Sequence, residues 1–576
     1  MPKMTNQQLA ETFRTIGDLL EIKGENIYKI LAYRKAADSL SSLGQDANEL
    51  WKQGKLTEVG GVGKAIAEKI DELLSTGHLG FLEKLEAEVP PSLSEELKVP
   101  DLGPKKVAMF WKELGITNLA DLEKAARGGK LRTLPGMGEK SEAKIIAGIE
   151  ALGRRSTRLP LGRAWPFAQE LIAYLKQAPG VEAVEVGGSL RRMRATVGDI
   201  DILAAACDSK AVMDAFVGRK DVARVLGKGE TKSSVEFTHG LQAQLWVHPP
   251  EHWGTALVYA TGSKDHNVRL REYALKQGYS LSEHSLERKD GSEVFCETEE
   301  QVYKTLGLPF IPPELREDRG EVQAAIKHEL PHLIELKDIK SDLQMHTNWS
   351  DGKLTIKEMA EAAIRRGYKM IAITDHTHSL GVVQGMNPEA VVEQRKEIDE
   401  VSEELGDKIR ILQGAEVEIK SDCSLDYPDE VLAKIEFVLA AMHTGLRQPR
   451  EKVTERVVSA IHNPHVDMIP HLTGRLLPDR EGADLDMDAV LAAAAETGVV
   501  MEINAHPARL DLDDVHARRA VEMGIKLSIN TDAHSESDLD LMHFGVSTAR
   551  RAWVEAKDVI NTWSVSKVLK WLSSRG

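Results

Sequence analysis

Histidine and carboxylate side chains recur through residues 340–576, and each lies at or beside the end of a predicted strand. Most of them follow a short apolar run, as in KMIAITDH, FVLAAMH and IKLSINTDAH. A parallel barrel directs side chains from the ends of many strands at one mouth. Imidazoles and carboxylates that meet there form a multinuclear metal site, and such sites hydrolyse phosphoesters. The predicted metal ligands are His346, Asp351, His376, Glu416, His443, His471, Asp532 and His534.

A structural role for these histidines is the alternative. One histidine on an apolar strand is usually satisfied within the core, but eight histidine and carboxylate groups in this order are not all explained in that way. Nitrogen and oxygen ligands without sulfur suit manganese or zinc. Asn504, His506 and Arg509 lie in a loop beside the site, where they contact phosphate or simply lie on the surface, and they stay unassigned.

A second chemical signal is the run GGSLRRMRATVGDIDIL. Asp199 and Asp201 alternate with two isoleucines, so on a strand both carboxylates share one face. Two such aspartates can hold two magnesium ions for an in-line attack on a phosphoryl group. Upstream, Gly188 and Ser189 allow a close backbone approach to phosphate, and two arginines add charge. An isolated Asp-x-Asp is more often a solvated strand edge, but this spacing predicts nucleotidyl transfer.

A third pattern occurs three times in the helical first 155 residues, as VGGVGKAIAEKI, VPDLGPKKVAMF and LPGMGEKSEAKI. Each copy combines an apolar residue, a glycine turn, a lysine and a helix, which is typical of a helix-hairpin-helix. Free backbone N–H groups at such a helix start can face a phosphate. A single copy is explained equally by a plain turn, but three predict non-specific binding to a DNA backbone. The predicted DNA-binding residues are Gly61, Gly63, Lys64, Gly103, Lys105, Gly136, Gly138 and Lys140.

Length and composition limit the remaining choices. A chain of 576 residues is too long for one core, so three or four domains are expected. No apolar run approaches ~18 residues and the first residues lack a signal core, so we expect a cytoplasmic protein without a membrane partner. Three distant cysteines argue against a disulfide framework. The net charge of −16 does not exclude nucleic acid, because local patches decide binding.

The run GGSLRRMRATVGDIDIL resembles the palm signature of nucleotidyltransferases, and specifically that of family X DNA polymerases. NIYKILAYRKAADSL and LTEVGGVGKAIAEKIDELLSTGHL resemble the small N-terminal domain of DNA polymerase beta, and YATGSKDHNVRLR resembles the family's sugar- and base-contacting segment. The C-terminal half resembles a polymerase-and-histidinol-phosphatase (PHP) domain. Together they resemble bacterial family X DNA polymerases along nearly the whole chain. The resemblance implies gap-filling base excision repair and a manganese-dependent 3′–5′ exonuclease.

The implied fold is multidomain α+β and α/β. It comprises a helical helix-hairpin-helix region, a nucleotidyltransferase palm with a thumb, and a distorted seven-stranded β/α barrel. The expected domains are a polymerase beta-like small domain at 1–85, a fingers-like region at 86–160, the palm at 161–250, the thumb at 251–315, a proline-rich linker at 316–339 and the PHP domain at 340–576.

In the palm, the resemblance implies that Asp199 and Asp201 bind metal. It implies that the nucleotide triphosphate is held by Gly188, Ser189, Arg192 and Gly198. The third acidic position, in HGLQAQLWVHPPE, is Gln244. Loss of the group that draws the proton from the primer hydroxyl commonly costs about 10²- to 10⁴-fold. We therefore expect a palm that is weak, unusually metal-dependent or only a binding platform, with Glu236 as an alternative acid.

The PHP resemblance offers nine ligand positions, of which this chain matches eight. The first histidine of the usual His-x-His pair is Gln344, so one metal loses an imidazole. His346, Asp351, Asp532 and His534 are the expected catalytic residues of this domain. The expected ions are up to three Mn²⁺ or Zn²⁺ in the PHP domain and Mg²⁺ or Mn²⁺ in the palm. Lys69 aligns with the Schiff-base lysine of a lyase site, but a surface role for it is favoured.

The expected partners are gapped or nicked duplex DNA with a 3′ end, and deoxynucleotide triphosphates. Two other functions stay open. The metal domain alone would suit a histidinol-phosphatase-like enzyme, although a small ester needs no DNA-binding helices. A DNA-end-binding protein whose palm, or both sites, have lost activity would explain Gln244 and Gln344.

Overall fold

The computed structural model describes residues 4, 6–41, 43, 47–97, 99, 102–154, 158–379 and 385–575. The chain divides into two compact units, Met1–Thr157 and Arg158–Gly576. Within the described ranges, no helix combines the length and the apolar character needed to cross a membrane.

The first unit is helical throughout its described part. Its helices pack around buried apolar side chains, among them Phe13, Val107 and Phe110. The helices are α1 (Asn6–Lys23), α2 (Ile27–Ser41), α3 (Ala47–Lys52), α4 (Lys64–Thr76), α5 (Gly80–Glu88), α6 (Leu93–Glu96), α7 (Pro104–Leu114), α8 (Leu119–Arg127) and α9 (Glu139–Arg154).

Each predicted helix-hairpin-helix turn ends at a helix start. Helices α4, α7 and α9 begin directly after Gly63, Gly103 and Gly138. Gly61 and Gly136 have φ angles of +84° and +72°, which side chains rarely allow. Pro100 and Asp101 of the second copy lie outside the described residues.

The second unit begins with a mixed sheet that carries the palm motif. Its strand order is β2-β4-β7-β6-β5, with β4 and β7 parallel and the other pairs antiparallel. A two-stranded pairing of β1 with β3 lies beside it. The elements are β1 (Leu159–Pro160), α10 (Leu161–Leu175), β2 (Val181–Val186), α11 (Gly188–Arg191), β3 (Thr196–Val197), β4 (Ile200–Ala206), α12 (Ser209–Val217), β5 (Val222–Lys228), β6 (Lys232–Phe237) and β7 (Gln242–His248).

The thumb segment is a small α+β element with a three-stranded antiparallel sheet, β10-β9-β8. The segment predicted as a linker follows it and is folded: Arg316 is fully buried and a helix forms five residues later. The elements are α13 (Trp253–Thr261), α14 (Lys264–Lys276), β8 (Tyr279–Leu281), β9 (Leu286–Arg288), β10 (Glu293–Val294), α15 (Glu299–Thr305) and α16 (Glu321–Lys327).

Seven parallel strands follow in sequence order, from β11 to β17. The first and last strands meet, because the His346 N–H donates to the Ala533 carbonyl at 2.8 Å. The elements are β11 (Ser341–Met345), α17 (Ile356–Arg365), β12 (Met370–Ile373), α18 (Pro388–Leu405), β13 (Arg410–Glu418), α19 (Asp429–Leu432), β14 (Phe437–Ala441), α20 (Arg450–Ile461), β15 (Met468–Ile469), α21 (Met487–Thr497), β16 (Val500–Asn504), α22 (Asp514–Glu522), β17 (Leu527–Asn530), α23 (Met542–Arg551) and α24 (Val565–Ser573).

These elements confirm the predicted fold class: a helical region with helix-hairpin-helix turns, a mixed-sheet palm with a thumb, and a nearly closed seven-stranded parallel barrel. The palm packs directly on the barrel. Leu510 and Phe544 of the barrel half are buried in the same apolar cluster as the palm residues Leu161 and Phe167.

Candidate metal centre and nucleotide pocket

The barrel brings all eight predicted ligands to one mouth. Glu416 lies on β13, and the others follow the carboxyl ends of strands β11, β12, β14, β15 and β17. Parallel strands end at one face of a barrel, so residues far apart in sequence become neighbours there. Asp532 adopts a φ of +56°, which is rare for a residue with a side chain and marks a position held by its surroundings.

Glu416 lies at the centre of this group. Its Oε2 is 3.2 Å from His346 Nε2, and its Oε1 is 3.1 Å from His443 Nε2 and 2.9 Å from His471 Nε2. His346 Nε2 also lies 3.1 Å from Asp532 Oδ1. One carboxylate thus faces imidazoles on both sides, and this group of nitrogen and oxygen donors could hold divalent cations.

The outer part of the mouth is more open. Asp351 Oδ1 lies 3.3 Å from His534 Nε2, and Asp351 Oδ2 lies 3.8 Å from His376 Nε2. Ligand atoms of His346, Asp351, His376 and His534 all lie within 4.8 Å of one another. Because Asp351 and His534 are partly exposed, this is the side from which a substrate can approach.

The donor set fits divalent cations. Among the described residues, both ring nitrogens of His346, Nδ1 of His376 and Oε1 of Glu416 are buried, and the other ligand atoms near them are not in hydrogen-bonding geometry. Buried polar atoms without a partner are rare unless an ion or water takes that place. Burial raises the pKa of Glu416, but the nearby His376, His471 and His443 outweigh it and hold the pKa well below its usual range.

Gln344, at the position of the missing histidine, also points into the centre. Its amide donates to Glu416 Oε2 at 3.1 Å, and its own Oε1 is buried without a partner among the described residues. The side chain therefore fills the place of an imidazole and occupies one Glu416 oxygen.

Buried carboxylates behind the ligand group were not predicted from the sequence. Glu418 accepts from the backbone N–H of His443 at 3.1 Å, and its Oε2 lies 2.8 Å from His443 Nδ1. That contact leaves His443 Nε2 directed at Glu416. Asp375 and Asp511 hold the loops after β11 and β15 through backbone N–H groups, at 2.8 Å from Thr347 and Thr473 respectively. The only sequence signal for two of them was an acid close to a predicted ligand: Glu418 near Glu416 in GAEVEI, and Asp375 before His376 in TDH.

In the palm, Asp199, Asp201 and Gln244 meet as expected. Asp201 on β4 is paired with Gln244 on β7, and the Gln244 amide donates to Asp199 Oδ2 at 2.7 Å. Burial, and then the charge of Asp199, raise the pKa of Asp201 to about 6. Glu236 is not among the residues that line the cleft, and its Oε2 accepts from Arg224 at 2.8 Å.

These aspartates line an open cleft of about 420 Å³. A Cβ on Gly188, which has a φ of +58°, would lie 2.3 Å from Asp201 Oδ2, so only glycine fits there. The cleft is lined by Arg158, Ser189, Arg192, Arg194, Gly198, Asp199 and Asp201.

Arginine positions in the cleft were only partly predicted. Arg192 lines it, but Arg191 turns away and pairs with Glu299 at 2.6 Å. Arg158 and Arg194 were missed and also line the cleft. Cations beside two acids suit a ligand that carries both phosphate and bound metal.

The predicted DNA-binding lysines of the first unit, Lys64, Lys105 and Lys140, are exposed in the first or second residue of their helices. Lys69 lies one turn further along α4. Its ammonium donates to the Ala65 carbonyl at 3.2 Å and lies 5.0 Å from the centre of the Phe81 ring.

Family models match four parts of the chain. They are a helix-hairpin-helix domain at 4–79, a SAM-like helix-hairpin-helix tandem at 94–151, a DNA polymerase beta thumb at 256–317 and a PHP domain at 342–506. These matches agree with the helical unit, the thumb segment and the barrel.

Three relatives match different shares of the chain. The DNA polymerase/3′-5′ exonuclease PolX of Bacillus subtilis (strain 168) is 39% identical over 572 residues, which cover 99% of each protein. DNA polymerase lambda of Rattus norvegicus is 26% identical over 54% of this chain and 56% of its own length. A probable phosphatase of Thermoanaerobacter sp. (strain X514) is 29% identical over 38% of this chain and 89% of its own length. The chain therefore belongs to the bacterial family X DNA polymerases that carry a C-terminal PHP domain.

Proposed function

We propose that the protein fills short gaps in duplex DNA through its palm and removes nucleotides from 3′ ends through its barrel. The observation that carries the nuclease is the ligand group around Glu416, with buried imidazoles on both of its oxygens. The name of the Bacillus subtilis relative and its match over 99% of each protein support both activities, and the match to DNA polymerase lambda of the rat supports the polymerase activity.

The proposed ligands of the nuclease form an inner and an outer group. His346, Glu416, His443, His471 and Asp532 would hold two inner cations, and Asp351, His376 and His534 would hold a third; manganese suits these donors. Bound divalent cations supply Lewis acidity toward the phosphoryl group and neutralise its charge.

Arg509 is proposed to orient the phosphodiester. Its Nε lies 3.5 Å from Asp532 Oδ2, while its Nη1 is buried without a partner among the described residues. A free guanidinium N–H beside the acidic group can bind a phosphate oxygen. Glu418 is proposed to hold the His443 ring in one orientation through its contact with Nδ1.

In the palm, Asp199 and Asp201 are proposed to hold Mg²⁺ or Mn²⁺, and Ser189, Arg192 and Gly198 to receive the triphosphate. Gln244 orients Asp199 through its amide but cannot accept a proton from the primer hydroxyl. We therefore propose a palm that is active but slow.

Hydrolysis of a small phosphate ester is the second candidate, because 38% of this chain matches a probable phosphatase over 89% of the length of that protein and the chain carries a PHP domain. The palm cleft and the exposed lysines of the first unit favour a DNA substrate, since a small phosphate ester needs neither.

The test is a 5′-labelled gapped duplex incubated with manganese, with and without nucleotides. We expect shortening without nucleotides and extension with them. His346→Ala should abolish only shortening and Asp201→Asn only extension, because the two sites use different ligands. A histidinol-phosphate-like ester serves as the competing substrate. Faster hydrolysis of that ester than of the DNA end would support the phosphatase instead.

A further inference from the structure

Arg551 belongs to the barrel half but contacts the palm. It is the last residue of α23, and its side chain is 4% exposed. Its Nη1 donates to the backbone carbonyl of Arg192 at 2.7 Å and to Glu317 Oε1 at 2.9 Å, and its Nη2 donates to Asp514 Oδ2 at 2.8 Å. The barrel thus fixes the main chain of a residue that lines the nucleotide cleft.

Glu317 joins Arg551 to two cleft arginines. Its carboxylate accepts from Arg192 Nε at 3.0 Å and from Arg194 Nη1 at 3.1 Å. The carboxylate is 8% exposed. Burial raises the pKa of Glu317, but the charges of Arg551, Arg192 and Arg194 outweigh it and hold the pKa far below its usual range. Three arginines therefore share one buried negative charge.

A triphosphate would compete with Glu317 for Arg192 and Arg194, because both arginines line the cleft. Arg551 is not among the residues that line the cleft, and it contributes positive charge to Glu317 from the barrel half. Without Arg551, Glu317 has only the two cleft arginines as ion-pair partners, and the Arg192 carbonyl loses a donor. Both changes draw the guanidinium groups away from a triphosphate.

We propose that Arg551 is a positioning residue of the nucleotide pocket, so that the barrel half sets the nucleotide affinity of the palm. The proposal rests on the palm function given above. Arg551 does not touch the nucleotide itself and acts through Glu317 and through the main chain of Arg192.

The fold should tolerate removal of the Arg551 guanidinium. Asp514 keeps an ion pair with Arg319 at 2.7 Å, and Glu317 keeps Arg192 and Arg194. Neither acid is left as an uncompensated buried charge, which is the change that costs most when a buried pair is broken.

The experiment compares Arg551→Met and Arg551→Lys in the full chain. Arg550→Met is the matched control: the neighbouring Arg550 also reaches out of α23, to Glu314 Oε1 at 2.7 Å and to the Ile334 carbonyl at 3.1 Å, but does not contact Glu317. The readouts are KM and kcat for the nucleotide in gap filling, nucleotide binding by calorimetry with manganese, and release of nucleotides from a 3′ end.

Arg551→Met should raise the nucleotide KM and Kd roughly tenfold, within the range of about 5- to 150-fold usual for coupled sites, with kcat changed far less. Arg551→Lys should recover part of the affinity because it keeps the charge. The nuclease should be unchanged in both, as should nucleotide binding in Arg550→Met.

Unchanged nucleotide affinity in Arg551→Met, with normal binding by the wild type, would overturn the inference alone. A wild type that neither binds nor incorporates nucleotide would overturn the palm function and this inference together. An equal loss of nucleotide affinity in Arg551→Met and Arg550→Met would assign the effect to general contact between barrel and palm. That result would also contradict the proposed positioning role of Arg551.

Discussion

The barrel centre and the palm cleft each carry a glutamine where family resemblance places a ligand, but the surroundings of the two glutamines differ. Around Gln344, Glu416 keeps close contacts with His346, His443 and His471. Beside Gln244, Asp199 and Asp201 are the two carboxylates that line the cleft. A centre with many donors tolerates the exchange of one of them, whereas a centre with two acids depends on each.

Metal withdrawal should separate the two sites most strongly. After gel filtration into chelator-treated buffer, we expect nuclease activity to persist and primer extension to fall by on the order of 10³-fold, because loss of an ion removes several kcal/mol of charge stabilisation. Metal content and both activities are measured on the same sample. Added Mg²⁺ should restore extension. Equal loss of both activities would contradict the difference in donor number.

Gln244→Asp should speed gap filling by about 10²-fold, since it supplies a third acid beside Asp199 and Asp201. Single-turnover extension at saturating manganese measures this. Gln242→Asp adds the same charge two residues earlier on the same strand and should not increase the rate. If neither variant extends faster than the wild type, Gln244 is not the missing acidic position.

Glu418→Gln should weaken metal binding in the barrel about 10- to 100-fold, the usual cost of losing a partner behind a ligand histidine. Nuclease activity is titrated against manganese. Asp422→Asn is the control, because Asp422 is exposed and accepts hydrogen bonds from the backbone N–H and the hydroxyl of Ser424, away from His443. A titration curve identical to that of the wild type would show that Glu418 does not orient His443.

The smallest effect is expected at a helix-hairpin-helix turn. Lys105→Ala should reduce the number of counterions released on DNA binding by about one, as read from the slope of log affinity against log salt concentration. It should also weaken binding a few-fold. Lys112 lies in the last turn of the same helix, α7, so Lys112→Ala should change neither. Affinity is measured by anisotropy between low and moderate salt. Matching slopes for both variants would remove this turn from the DNA-binding surface.

The ligands that could be predicted from the sequence are those tied to a strand end. His346, Glu416 and Asp532 follow from strand periodicity and parallel order, since every such strand ends at the same face. The palm aspartates follow from a period of two. Position within an element is a local property, so a single sequence can reveal it.

Partnerships between distant residues could not be predicted. Arg191 and Arg194 are alike in the sequence, yet Arg191 pairs with Glu299 while Arg194 lines the cleft. The proline-rich segment at 316–339 suggested a linker by composition, but Glu317 pairs with an arginine 234 residues away. Such contacts depend on tertiary packing, which composition does not contain.

Closure of the barrel has a consequence for the order of synthesis. The His346 N–H bonds to the Ala533 carbonyl, and the His346 ring meets Asp532, so the first and last strands complete one group of ligands. A ribosome-bound chain that has emerged only as far as β16 lacks Asp532 and His534, so the ligand group cannot assemble until β17 and the residues after it have been translated.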